Sequence, residues 1–304
     1  MGLEFIQLSL VPLLVAILAS IICALPGNFL LLRRQSLMGD AVSHVVLPGV
    51  VGAFVMTGSL STVPMMLGAA IAAVIAIALI ETIRRLGKVE PGAAMGVVFT
   101  ALFALGVLWL ELSRSSSVHL DVEHVLYGNL ENLIWLDAQG WDALIDPQAL
   151  AGLPAALPRL LALLLVVAVS LAVLWRALVA GTFDPAFAAS VGAKPGLTGM
   201  TLLVIVALAA VAAFEAVGAI IVVAMFICPA AGARLMTNRL GPQIAWSIAF
   251  AVAAALLGYV SAALLPTWLG LAHTVSAAGM IPVVGGLLLL LAAWAGPCRS
   301  AIQD

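Results

Sequence analysis

The feature that most constrains this chain is a series of nine apolar stretches, each close to the length that a helix needs to cross a bilayer. One crossing takes about 20 apolar residues. The stretches occupy residues 5–31, 37–58, 62–83, 92–112, 157–178, 197–213, 215–233, 243–264 and 275–296. The sixth and seventh form one run that we divide near Phe214 and Glu215, so the pattern allows eight or nine crossings. The sequence predicts an all-α, polytopic transmembrane bundle in which residues 1–304 form a single domain in the lipid bilayer.

Composition excludes several other classes of protein. Only 9% of the 304 residues are charged, against roughly 25% in soluble domains. Such a chain cannot cover a water-facing surface, which excludes soluble and disordered proteins. The formal net charge of −2 offers no field that would attract nucleic acid. Three cysteines do not form a disulfide framework.

The basic residues indicate an orientation, because Lys and Arg concentrate on the cytoplasmic side of membrane proteins. If the N-terminus is outside, ten of the twelve basic residues fall inside. Only Arg114 and Arg159 then lie outside. The inner set is Arg33, Arg34, Arg84, Arg85, Lys88, Arg176, Lys194, Arg234, Arg239 and Arg299.

The long connection after the fourth stretch is acidic and, in this orientation, faces outward. Two readings of it remain open: an ordinary solvated loop, or a mouth that concentrates cations before entry. His119 and His124 lie in this connection, and His273 follows the eighth stretch on the same side. All three are candidate entry ligands. The connection holds or adjoins seven of the fourteen acidic residues: Glu111, Asp121, Glu123, Glu131, Asp137, Asp142 and Asp146.

Asp40 and His44 are the most informative ionisable residues, because charge inside a membrane is costly and marks candidate functional sites. They are four residues apart, so they share one face of a helix. A carboxylate and an imidazole supply half of a site for a first-row divalent metal. A symmetric pair of chains would supply the other half. Alternatively, the two side chains pair with each other or extend to the cytoplasmic surface.

Other residues near this pair and later in the chain have more than one interpretation. Pro48 removes a helical hydrogen bond, and the neighbouring Gly39 and Gly49 allow close helix packing. Glu215 is either a carboxylate of the transport pathway or an interfacial residue at the outer turn. His273 is first a loop histidine and only second an entry ligand.

Four segments, in order, resemble a known family, the ABC-type permeases that import manganese, zinc or iron. RRQSLMGDAVSHVVLPG, at residues 33–49, is similar to the signature of the family's second helix. LYGN, at residues 126–129, resembles the core of a second motif. TFDPAFAASVG, at residues 182–192, resembles a cytoplasmic loop of the family. The fourth segment runs from VGAI, at residues 217–220, to PAAGAR, at residues 229–234.

The resemblance implies a permease subunit with a fold like that of type II ABC importers, in a bacterial cytoplasmic membrane. It implies three protein partners: a cytoplasmic ATP-binding subunit, an extracytoplasmic metal-binding protein and a second permease, which is either another copy of this chain or a homologue. It also implies that Asp40 and His44 bind Mn²⁺ or Zn²⁺ as transported substrate, with no permanently bound cofactor. The loop that would couple to the ATPase carries the matching residues Phe183, Asp184, Pro185, Ala188 and Gly192. Asp184 is predicted to cap a helix that begins at Pro185.

The chain lacks a glycine-rich phosphate loop ending in GK[ST], so ATP hydrolysis is expected from a partner. One rival interpretation is a secondary carrier in which Asp40, His44 and Glu215 relay protons. A second is an intramembrane metalloprotease, which needs a motif such as HExxH that Glu123 and His124 do not provide. A third is a structural membrane protein in which Asp40 and His44 are packing groups.

Overall fold

In the computed structural model the chain is a bundle of helices, described for residues 2–58, 62–112, 130–138, 140–268, 270 and 275–298. We number eleven helices within these ranges. They are α1 (Val11–Leu32), α2 (Met38–Thr57), α3 (Thr62–Gly87), α4 (Pro91–Leu112), α5 (Ala156–Val173), α6 (Trp175–Phe183), α7 (Pro185–Ser190), α8 (Pro195–Val217), α9 (Ala219–Met236), α10 (Leu240–Trp268) and α11 (Ala277–Ala295). A single π-helical turn, Ile6–Leu10, leads into α1. Short helical turns at Leu130–Asn132, Trp141–Leu144 and Pro147–Ala151 lie between α4 and α5.

Every apolar stretch predicted from the sequence corresponds to a helix. Within the described residues, seven helices are long and apolar enough to cross a membrane: α1, α3, α4, α5, α8, α10 and α11. Helices α2 and α9 have shorter apolar segments, His44–Thr57 and Ile220–Met236. The prediction of an all-α, multi-pass membrane bundle is confirmed.

The long apolar run in the middle of the chain breaks at Gly218. This residue has φ 83°, a backbone conformation that suits glycine because it has no Cβ. Its N–H donates to the carbonyl oxygen of Phe214 at 2.9 Å, closing the last turn of α8. The predicted division near Phe214 was therefore a few residues too early. Glu215 lies in the last turn of α8 rather than at the start of the next helix.

Helices α1 and α8 are the most buried of the long helices, and a polar cluster joins α1 to α10. The amide of Asn28 donates to Ser247 at 2.7 Å and accepts from Gln243 at 3.1 Å, and all three side chains are fully buried. Because hydrocarbon offers these groups no alternative partner, they hold the two helices in one register.

Candidate metal site and coupling segment

Helix α2 places Asp40 and His44 one turn apart near its beginning. The helix starts at Met38, so Asp40 lies in its first turn, where the helix dipole favours an acidic residue. Of these two side chains, the structure describes that of His44, which is half-buried.

The imidazole of His44 lies against two phenylalanines of α4. It stacks on Phe99 with ring centroids 5.4 Å apart and planes 22° apart. It also meets Phe103 edge-on, at 5.7 Å and 80°. Contact with two aromatic rings restricts the rotation of the imidazole. An aromatic pair stabilises the packed arrangement by about 0.5–1.5 kcal/mol. Sequence reasoning missed this pair, although the spacing of four residues places both rings on one face of α4.

Close contacts with three neighbouring helices position α2. A Cβ built on Gly39 would lie 2.8 Å from the Cδ2 of Phe226, on α9. A Cβ built on Gly49 would lie 2.6 Å from the Cα of Ala69, on α3. Pro48 packs against Gly106, on α4. The predicted close packing at Gly39 and Gly49 is therefore present, and it fixes the helix that carries Asp40 and His44.

Within the ranges that the structure describes, no three His, Cys, Asp or Glu residues come together as a metal-binding group. If Asp40 and His44 bind a metal, one chain supplies two ligands at this position. Transition metals take four to six ligands in most protein sites. A complete site would need further ligands, from a second chain or from water.

The segment from α6 to α8 contains the predicted capped helix. The carboxylate of Asp184 accepts a hydrogen bond from the backbone N–H of Phe187 at 2.9 Å, and Pro185 occupies the first position of α7. The segment turns at Gly192, where φ is 82°. Ala188 is fully buried and its carbonyl accepts from Ala193 at 2.9 Å. The predicted cap at Asp184 is confirmed.

The same segment exposes an apolar ridge. Phe183, Phe187 and Val191 are 59%, 56% and 61% exposed. They occur at intervals of four residues, as on one face of a helix. The helix is interrupted at Asp184, between Phe183 and Phe187. If this ridge lies outside the bilayer, exposed apolar side chains of this size are typical of a protein-binding surface.

Glu215 lies at the opposite end of the bundle and pairs with Arg159. The Arg159 Nη1 to Glu215 Oε1 distance is 3.3 Å, and the side chains are 45% and 39% exposed. The two residues line a cavity of about 200 Å³ together with Met66 and Leu133. The other predicted entry candidates, His119, His124 and His273, lie outside the described residues.

Comparison with known proteins identifies the family. The model of the ABC 3 transport family matches residues 4–137 and 154–295. The chain belongs to the ABC 3 transport family. It is 35% identical to the manganese transport system membrane protein MntD of Bacillus subtilis, over 88% of this chain and 86% of that protein. It is 38% identical to the zinc transport system membrane protein TroD of Treponema pallidum, over 71% of this chain and 56% of that protein.

A solved structure agrees with this assignment to the ABC 3 family. PsaBC from Streptococcus pneumoniae, solved in complex with a Fab, aligns with 99% of this chain and 96% of its own at a TM-score of 0.75 and 26% identity. The predicted resemblance to ABC permeases is confirmed. As the membrane protein of an ABC transporter, the chain is a transport subunit, and ATP hydrolysis belongs to a separate subunit.

Proposed function

We propose that this ABC 3 family member is the permease subunit of an importer for Mn²⁺ or Zn²⁺ in a bacterial cytoplasmic membrane. The observation that carries the proposal is the pair Asp40 and His44 on one face of α2, with His44 in contact with two aromatic rings of α4. Carboxylate and imidazole together suit both metals. The relatives named for manganese and for zinc transport support the same substrate class.

The proposed site forms between two copies of the chain. One copy supplies a carboxylate and an imidazole, and a symmetric partner would supply the same pair across a twofold axis. Four such ligands replace part of the hydration shell that the ion loses on leaving water. An extracytoplasmic metal-binding protein would deliver the ion to this pair of permeases.

The proposed orientation places the N-terminus outside. Arg33, Arg84 and the beginning of α8 line one cavity. The backbone N–H of Cys298, next to Arg299, donates to the carbonyl oxygen of Leu235, next to Arg234. Residues that the positive-inside rule assigns to the cytoplasm thus lie at corresponding helix ends. Arg159 is one of the two basic residues assigned outside. It pairs with Glu215 near the helix ends that lie farthest from this basic group.

In this orientation the capped α7 and the apolar ridge of Phe183, Phe187 and Val191 face the cytoplasm. We propose that a groove of the ATP-binding subunit binds this ridge. ATP binding and hydrolysis would then move the α6–α8 segment and change which side of the Asp40–His44 site is open. The mechanism is alternating access, and the chain itself contributes the metal ligands and the docking surface.

The test is ATP-dependent uptake of radioactive manganese and zinc by the complete complex in proteoliposomes. We expect Asp40→Asn and His44→Ala each to reduce uptake by more than about 100-fold, which is the upper end of the loss caused by removing an outer-shell partner of a metal ligand. Glu90→Gln is the matched control for Asp40→Asn, because Glu90 is an exposed carboxylate in the connection before α4.

Two results would contradict the proposal. Unchanged uptake in both variants would contradict the assignment of Asp40 and His44 to the metal site. Uptake by the permease without ATP or the ATPase would instead favour the secondary carrier. A preference for one metal that persists when the binding protein is omitted would locate metal selection in the permease.

A further inference from the structure

Arg33 is the first residue after α1. It lies between α6 and α8, the two helices at the ends of the docking segment, which we define as residues 175–217 and which includes α7 and the apolar ridge. Its Nε donates to the hydroxyl of Thr182, in the last turn of α6, at 2.9 Å. Its Nη1 lies beside the beginning of α8, where a Cβ built on Gly199 would come within 3.1 Å. The guanidinium therefore contacts both α6 and α8.

The hydrogen bonding of this guanidinium is incomplete. Among the described residues, the Nη2 of Arg33 is buried and has no hydrogen-bond partner. Burial lowers the pKa of Arg33, but an arginine side chain remains protonated in proteins. A buried donor without a partner destabilises the arrangement that contains it. A small separation of α6 from α8 would give Nη2 access to water or to a new partner and so remove this cost.

The connection from Arg33 to α2 is short and is held by backbone hydrogen bonds. Arg34 has φ 57°, and the N–H of Gln35 donates to the carbonyl of Leu30 at 2.8 Å. The N–H of Met38, where α2 begins, donates in turn to the carbonyl of Gln35 at 2.9 Å. A displacement of Arg33 is therefore passed to the first turn of α2, which contains Asp40.

We propose that Arg33 is a positioning residue that transmits movement of the docking segment to the helix that carries Asp40 and His44. Thr182 is its partner on α6. This inference rests on the proposed function, because it assigns a route between the proposed docking segment and the proposed metal site. Coupling of this kind needs an element with two arrangements that both sites influence, and in this proposal that element is the junction of Arg33 with α6 and α8.

The first experiment measures metal uptake and ATP hydrolysis together in the reconstituted complex. For Arg33→Gln we expect the amount of metal taken up per ATP hydrolysed to fall by about 2- to 30-fold, the range found for residues that link two sites. Thr182→Val removes the hydroxyl at nearly constant volume and should reduce the same ratio. Thr182→Ser keeps the hydroxyl and should retain the normal ratio.

Arg34→Gln is the matched control, because it removes the same charge from the neighbouring, exposed position. A normal ratio in Arg33→Gln and in Thr182→Val would overturn the inference. So would an equal loss of uptake and hydrolysis with a lowered melting temperature, because that result indicates a purely structural role. If Arg33→Gln does not assemble, Thr182→Val alone decides between these results.

The second experiment does not depend on metal. A spin label is attached at Leu37→Cys, which is 56% exposed in the wild-type side chain and directly precedes α2, after alanine replaces the three native cysteines. ATP should change the label's spectrum in the otherwise unaltered complex, and Arg33→Gln should abolish that change. If the complex transports neither metal and Arg33→Gln still abolishes the label's response to ATP, the result would contradict the proposed substrate and support the role of Arg33. A response that Arg33→Gln leaves intact would overturn that role.

Discussion

Replacement of Gly39 by alanine tests whether the position of α2 controls transport. The added Cβ would lie 2.8 Å from Cδ2 and 2.9 Å from Cγ of Phe226. An ordinary carbon–carbon contact is about 3.5–4.0 Å. One of the two helices must therefore move by about 0.7–1.2 Å to restore normal packing.

Helix α2 is the one expected to move. Phe226 is buried, and its backbone packs against Gly27 of α1 so closely that a Cβ at Gly27 would overlap the Phe226 carbonyl oxygen. The backbone of Phe226 thus cannot retreat from Gly39. Overpacking of this kind costs about 1–3 kcal/mol, and the displacement carries Asp40 and His44 away from their positions. A misplacement of about 1 Å at a reacting site can reduce a rate by about 100-fold.

The assay is ATP-dependent uptake of manganese and zinc by the reconstituted complex, with the melting temperature measured in parallel. We expect uptake by Gly39→Ala to fall by about 10- to 100-fold. Adding Phe226→Leu, which shortens the ring-bearing side chain, should restore part of it, because residues in contact do not act additively. Gly286→Ala is the control, since a Cβ there meets no atom within 4 Å. Normal uptake by Gly39→Ala, or no recovery in the double variant, would refute this reasoning.

Two further predictions concern the docking segment and the imidazole. Asp184→Ala should destabilise α7 by about 1 kcal/mol through loss of its cap and weaken binding of the ATPase. Asp184→Asn should retain the cap and the binding. Hydrogen exchange at the N–H of Phe187 measures the first effect, and co-purification with the ATPase measures the second. Phe99→Leu should release the stacked His44 and weaken metal binding by about 2- to 10-fold, in line with about 0.5–1.5 kcal/mol for an aromatic pair; isothermal titration calorimetry measures it, and an unchanged affinity would contradict it.

The sequence predicts most of the helices because each depends on local composition. An uninterrupted apolar run is sufficient to indicate a membrane helix. The cap at Asp184 is equally local, since its hydrogen bond reaches only three residues along the chain. The break at Gly218 was placed too early because the charge of Glu215 is the more visible signal, while the backbone follows the glycine.

Contacts between distant parts of the chain are not predictable in the same way. Arg33 follows an apolar stretch, so in sequence it is one more cytoplasmic charge. Its hydrogen bond to Thr182 spans 149 residues. The phenylalanines beside His44 are similarly indistinguishable from other apolar residues of α4 until α2 and α4 are packed together. The proposed metal site needs further ligands, and the residues of one chain do not specify where they come from.

The position of His44 along α2 has an electrical consequence. Helix α2 runs from Met38 to Thr57, so about 9 Å of helix separates Met38 from His44 and about 20 Å separates His44 from Thr57. In the proposed orientation, and for a field that falls evenly along the helix, an ion arriving from outside crosses about two thirds of the membrane voltage before it reaches His44. A divalent ion then gains about 3 kcal/mol from an inside-negative potential of about 100 mV. The membrane potential would thus favour movement of the ion from outside to the proposed site.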